Sequence, residues 1–283
     1  MRTIQSAINE MQELFREVGI ETPELDARLL VQGILGIKHE DIILNNSELI
    51  TFSEGNRLTD AARRRALREP VSRILGERPF WKFNFKISKE TLDPRADSET
   101  VIESVLKNCD QKAYLTFLDL GTGTGCLLLS LLQEFPQATG VGVDISVGAV
   151  ETARQNAEAL GLSNRASFVV SDWADMALGK AFDVVISNPP YIPNEDIEAL
   201  APEVKQYDPR RALAGGRDGL DCYRSITKLL PQLLTKQGKV FFEIGYDQAL
   251  SVKGILADAG FVVLQTVPDL AGHDRCVVAE RIN

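Results

Sequence analysis

The chain has 283 residues, with 31 Lys+Arg against 40 Asp+Glu, a formal net charge of −9 and 44% hydrophobic residues. That length allows one large domain or two modest ones, the apolar content rules out wholesale disorder, and the acidic balance argues against general attraction to nucleic-acid phosphates. Four scattered cysteines (Cys109, Cys126, Cys222, Cys276) and two histidines (His39, His273) fit neither a zinc cluster, a disulfide framework nor a histidine-based triad, and no metal is expected.

Residues 1–75 carry a helical pattern. Ile4, Ile8, Met11, Phe15 and Val18 recur every three to four positions, and Gly19 follows as a stop. This opening is amphipathic and unlike a signal peptide, and no apolar run approaches the roughly 18–20 residues of a membrane span. Thr22-Pro23 offers an N-cap with Pro at the first helical position, and Leu25, Leu29, Leu30 and Ile34 continue an apolar face. Thr51 and Glu54 have capping-box spacing, and Pro70 starts a last short helix ending at Gly76. A small bundle without strands is expected. Next, Trp81, Phe83, Phe85 and Ile87 alternate with Lys82, Asn84 and Lys86, which predicts a strand or hairpin over a linker of residues 76–95.

Residues 96–283 alternate between strand and helix. Seven apolar strands are expected: Leu115–Leu120, Thr139–Asp144, Ser167–Ser171, Phe182–Ser187, Lys239–Glu243, Phe261–Val267 and Cys276–Glu280. Helices are expected over Cys126–Phe135, Val147–Leu160, Leu220–Leu234 and Asp247–Ala259. The pattern predicts an α/β fold with a mostly parallel sheet covered on both faces. The stretch from Pro268 to Arg275 is too short for a parallel crossover, so the last two strands should be antiparallel.

Three strand ends carry candidate chemistry. Gly121-Thr122-Gly123-Thr124-Gly125 follows the first strand and opens a helix, with Cys126 where a dinucleotide fingerprint would place its last glycine. The loop suits a nucleoside ligand without a pyrophosphate, or is an ordinary tight turn. Asp144, ending the second strand, can accept both hydroxyls of a ribose or cap the next helix. Past the third strand, Trp173 can lie against an adenine ring or fill the core, and Asp172 can accept from an exocyclic amine. Together these ends describe a pocket for S-adenosyl-L-methionine.

Asn188-Pro189-Pro190-Tyr191 follows the fourth strand. Two prolines cannot continue a sheet, and their carbonyls remain as acceptors. With the Asn188 side chain and the Tyr191 ring, the segment suits a planar –NH₂ group, the alternative being a rigid loop. Hydrogen bonds accepted from both N–H groups would favour a pyramidal nitrogen whose lone pair points at a positioned methyl sulfonium, with no covalent enzyme intermediate.

On these residues the chain resembles the bacterial peptide chain release factor glutamine N(5)-methyltransferases. The likeness includes Gly76-Glu77-Arg78-Pro79-Phe80-Trp81, the two site motifs, Asp208-Pro209-Arg210-Arg211-Ala212-Leu213, Gly215-Gly216, Asp218-Gly219-Leu220-Asp221, Glu243-Ile244-Gly245-Tyr246 and Asp269-Leu270-Ala271-Gly272. The resemblance implies a helical N-terminal domain (1–75), a hairpin linker (76–95) and a seven-stranded class I methyltransferase domain (96–283) with an antiparallel last strand. It implies methylation of the glutamine amide in the Gly-Gly-Gln motif of release factors. It implies S-adenosyl-L-methionine as the donor and S-adenosyl-L-homocysteine as the product. Donor contacts fall to Gly121, Thr122, Gly123, Thr124, Gly125, Asp144, Trp173 and Asn188, and catalysis with substrate binding to Asn188, Pro189, Pro190 and Tyr191. Domain 1–75 carries no donor or amide motif and is expected to recognise the substrate.

The family's Pro-Arg-Pro-Glu-Thr-Glu is here Pro94-Arg95-Ala96-Asp97-Ser98-Glu99, preceded by Asp93. The expected setting is cytoplasmic, without a membrane or stable nucleic-acid partner. Rival readings are a nucleic-acid exocyclic-amine methyltransferase and a non-enzymatic S-adenosylmethionine-binding protein. The cluster Arg57, Arg63, Arg64, Arg65, Arg68 and Arg73 reads as a solvated helix face, or as a docking surface for an acidic protein or RNA.

Overall fold

The computed structural model describes residues 2–173, 176, 179 and 181–281. The chain divides into two compact units, Met1–Glu77 with Ala201–Tyr207, and Arg78–Leu200 with Asp208–Asn283. The hairpin expected as a linker therefore falls, from Arg78 onward, within the second unit.

The first unit packs helices α1 (Ile4–Glu17), α2 (Pro23–Leu35), α3 (His39–Leu44), α4 (Phe52–Ala66) and α5 (Val71–Leu75), with α9 (Pro202–Tyr207). Met11, Phe15, Leu30 and Leu58 form its core. Thr51 and Glu54 form the expected capping box at α4. Thr22 stands at the N-cap of α2, but its hydroxyl donates to Asp26 (2.9 Å) and makes no cap. Helix α3 escaped the periodicity because Ile42 is its one buried residue. An isolated bridge, Thr3 to Leu49, adds extended structure where none was expected. The arginine cluster is not one solvated face. Arg65 is buried and donates to Asp26 (2.7 Å) and Glu203 (3.1 Å), and Arg68 donates to the carbonyls of Val18 and Gly19.

From Arg78 onward the hairpin of β1 (Glu77–Phe80) and β2 (Phe83–Lys86) opens the second unit. Trp81 belongs to the turn and not to the alternating strand face: it takes φ +55°, donates from its backbone to Glu99 (2.7 Å) and from its indole to Glu134 (2.8 Å). A seven-stranded sheet follows in the order β5-β4-β3-β6-β7-β9-β8. Its strands are β3 (Thr116–Leu120), β4 (Thr139–Asp144), β5 (Ala166–Val170), β6 (Phe182–Ser187), β7 (Leu234–Glu243), β8 (Phe261–Pro268) and β9 (Asp274–Arg281). Strands β5 to β7 pair in parallel, and β9 runs antiparallel between β7 and β8, as expected of the last strand.

Alternating strand residues face opposite cores. Phe117, Val184, Ile186 and Phe241 pack with α6 (Glu99–Asn108), α7 (Cys126–Glu134) and α8 (Val147–Ala159). Leu118, Val185, Val240 and Phe242 pack with α10 (Asp221–Leu233) and α11 (Ala249–Asp258). The chain enters the sheet at β3, builds outward through β4 and β5, then returns to the other side of β3 with β6. This reversal opens a crevice at the carboxyl ends of β3 and β6. Among the described residues no helix is long and apolar enough to cross a membrane.

Candidate active site

A cavity of about 320 Å³ lies at that crevice, within the second unit. Gly121, Thr122, Gly123 and Thr124 line it from the end of β3, Asp144 from β4, Trp173 from beyond β5, and Asn188 and Pro190 from beyond β6. The glycine loop turns sharply because Gly121, Gly123 and Gly125 all have positive φ, and the backbones of Gly121 and Thr122 donate to Val143 (2.9 and 3.0 Å). A Cβ on Gly121 would lie 3.6 Å from the Trp173 ring, so the indole stands directly beside the loop.

Three of the expected residues do not line the cavity. Gly125 faces Leu129, Ala153 and Phe168, so its role is packing under the loop. Pro189 is buried, and the Tyr191 ring packs against the apolar core beside α10 and α11.

Asp144 does not cap α8, because Ser146 does so with its own hydroxyl. The Asp144 carboxylate instead accepts from the backbones of Gly123 and Ser146, both at 2.9 Å, and braces the loop. Each oxygen keeps a lone pair for a hydroxyl in the cavity. Burial raises the pKa of Asp144. Behind the loop, Asp119 is fully buried and accepts from Thr122 (2.6 Å). Burial pushes Asp119 up to about 7, with the Thr122 hydroxyl pulling the other way. Burial also drives the Cys126 thiol up to about 12, which excludes it as a neutral-pH nucleophile.

Residues 6–76 match the family described as PrmC N-terminal domain, and residues 111–241 the family described as Methyltransferase domain. The "Release factor glutamine methyltransferase" of Rhodospirillum rubrum is 47% identical over 266 residues, covering 93% of this chain and 80% of that protein. The protein of the same name from Caulobacter vibrioides is 39% identical over 276 residues, covering 98% and 96%. The chain belongs to the release factor glutamine methyltransferase family. Among solved structures, a ribosomal protein L11 methylase from Lactobacillus delbrueckii shares the fold, with a TM-score of 0.50, 19% identity and coverage of 69% and 82%. The resemblance drawn from the sequence motifs is borne out.

The 208–221 stretch clamps the segment that follows Asn188: the Ile192 backbone donates to Leu213 (3.0 Å), Gly215 to Ile192 (2.8 Å) and Asn194 to Gly216 (2.9 Å). Gln248 ties the clamp shut, donating to the carbonyls of Tyr191 (2.9 Å) and Gly219 (3.3 Å) while accepting from Gly245 (3.0 Å). Asn156 donates to Thr124 (2.9 Å) and Lys86 (3.0 Å), and so joins the glycine loop to the hairpin. The divergent 93–99 loop is anchored without the second proline, since Arg95 donates to the buried Asp208 at 2.8 Å. At the cavity rim Arg211 pairs with Glu90.

Proposed function

We propose that this protein methylates the side-chain amide nitrogen of the glutamine in the Gly-Gly-Gln motif of peptide chain release factors, with S-adenosyl-L-methionine as the methyl donor. The observation that carries it is the convergence of two motifs on one cavity: the glycine loop with Asp144 and Trp173, and the Asn188 loop, in a chain of this family.

The residues present fit such a donor. The turn of Gly121–Gly125 offers backbone close to a ligand, Asp144 a carboxylate for ribose hydroxyls, and Trp173 a flat face for an adenine. A bound donor supplies an electrophilic methyl on a sulfonium. Asn188 Oδ1 and a proline carbonyl accept from the substrate –NH₂, orienting the nitrogen and stabilising positive charge as it develops. Asn188 also contributes to the donor side of the cavity, and Tyr191 braces the loop from its packed position. The alkylated nitrogen is acidic, so its proton can pass to water without a dedicated base.

The first unit carries none of these residues, and its role is to hold the protein substrate in the cytoplasm. Intact release factor should therefore outperform a short Gly-Gly-Gln peptide by more than about tenfold in kcat/KM. The deciding experiment offers labelled donor with release factor, DNA or RNA, followed by mass spectrometry of the release-factor digest. A methyl group on the Gly-Gly-Gln glutamine supports the reading. Label on nucleic acid, or none, defeats it.

A further inference from the structure

An asparagine side chain has a donor end and an acceptor end of nearly equal size, and only the Oδ1 end can accept from an –NH₂ group. Its orientation must be imposed by what lies behind it. Strands β6 and β7 run parallel with Ser187 opposite Phe242, so Asn188, the first residue past β6, stands beside Glu243, the last residue of β7. Asn188 Nδ2 donates to Ser98 Oγ at 3.2 Å, and the Glu243 carboxylate accepts from both Ser98 and Asn188. Glu243 is 1% exposed, and its Oε2 has no hydrogen-bond partner among the described residues. Packing alone does not call for a carboxylate here, because burying one is costly unless its charge is used.

We infer that Glu243 is a positioning residue: its carboxylate holds the Nδ2 end of Asn188 inward, turns Oδ1 toward the cavity and polarises the amide toward the substrate nitrogen. The catalytic part of this inference rests on the proposed function, whereas the orientation of Asn188 does not. Burial is the main cause that lifts Glu243 to about 7. Ser98, Arg275 and Asn188 act against the rise and Asp97 adds to it. The other titratable groups facing it are Tyr191, Tyr223, Cys126 and Cys276, whose own values burial raises, leaving them neutral near pH 7. As pH falls through about 7, the acid gains a proton, loses its charge and weakens its hold on Nδ2.

The test uses the full-length protein labelled with ¹⁵N-asparagine, the Asn188 side-chain signal being identified by its loss in Asn188→Ala. In wild type that signal should shift with a midpoint near pH 7, and in Glu243→Gln it should not. Kinetics add a second readout. Glu243→Gln should lower kcat by about tenfold while changing each KM by less than about twofold, and should lower kcat by less than about twofold in an Asn188→Ala background. A signal that titrates identically with and without Glu243, or equal losses in both backgrounds, would overturn the inference. If wild type leaves release factor unmethylated, the proposed function fails and the Asn188 signal still decides this point. Thermal melts check folding. Should Glu243→Gln not fold, Ser98→Ala removes the shared hydroxyl, and an unshifted Asn188 titration in that variant would overturn the inference as well.

Discussion

Gly219→Ala separates the clamp from the chemistry it supports. Gly219 has φ +74°, and a Cβ there would lie 2.3 Å from the Tyr191 carbonyl oxygen and 2.6 Å from Gln248 Nε2. Ordinary contact begins near 3.4 Å, so the Tyr191–Ile192 peptide must retreat by about 1 Å. If that loop positions the substrate as proposed, a displacement of that size costs about 10²-fold in rate. The left-handed backbone adds about 1 kcal/mol of instability. Gly260→Ala is the control: φ is +82°, nothing lies within 4 Å of the added Cβ, and the residue sits in the turn before β8, at the far end of the sheet. In denaturant titrations both variants should lose the left-handed backbone cost of about 1 kcal/mol, and Gly219→Ala more, because of its clash. Only Gly219→Ala should lose kcat on release factor, with donor affinity by calorimetry little changed, because the glycine loop and Asp144 are untouched. Near wild-type kcat for Gly219→Ala, or an equal loss for Gly260→Ala, would refute the clamp.

Three further outcomes are expected. Asn188→Ala should lose at least about 10²-fold in turnover, the scale of deleting one catalytic hydrogen bond. Asn188→Asp should retain more activity, and equal steady-state rates for the two would make the asparagine structural. Asp144→Ala removes the acceptor for two backbone amides and for the proposed ribose contact, so donor affinity should fall by at least about tenfold by calorimetry. Asp119 titrates near 7 in the fold against an ordinary 3.8, so its contribution to stability is greatest below 3.8 and is lost as pH rises through about 7. Asp119→Asn should therefore gain roughly 3 kcal/mol on wild type between pH 4 and pH 8 in urea titrations, and parallel curves would refute this.

Much of the sheet was legible because buried parallel strands are written as apolar runs closed by polar or small residues, as in Phe182-Asp183-Val184-Val185-Ile186-Ser187. The cavity residues were legible because they sit at strand ends, where the chain must turn and few residue types serve. Trp81 misled the alternation because its turn conformation is fixed by Glu99 and Glu134, which lie far along the chain. Helix α6 was missed because its apolar residues, Val101, Ile102 and Val105, span little more than one turn. Glu243 stood in a recognisable motif, yet its place behind Asn188 follows from the register of β6 on β7, a pairing that neither strand's sequence displays. The clamp was visible as a signature and silent as a mechanism, since it works through backbone groups.

The position of β9 bears on how the protein is made. During synthesis β8 emerges with no neighbour to pair with, because its one partner in the sheet is β9. Strand β7 likewise keeps an open edge until β9 slides between them, through pairings such as Glu243 with Cys276 and Phe261 with Arg281. The glycine loop and the Asn188 loop can both be in place on the ribosome while the floor under Glu243 is still absent. The nascent chain thus carries two unsatisfied strand edges late in its production, a state open to mispairing with other chains. A chain stalled before Asp274 should be sensitive to protease around β8, and one extended past Arg281 should become resistant.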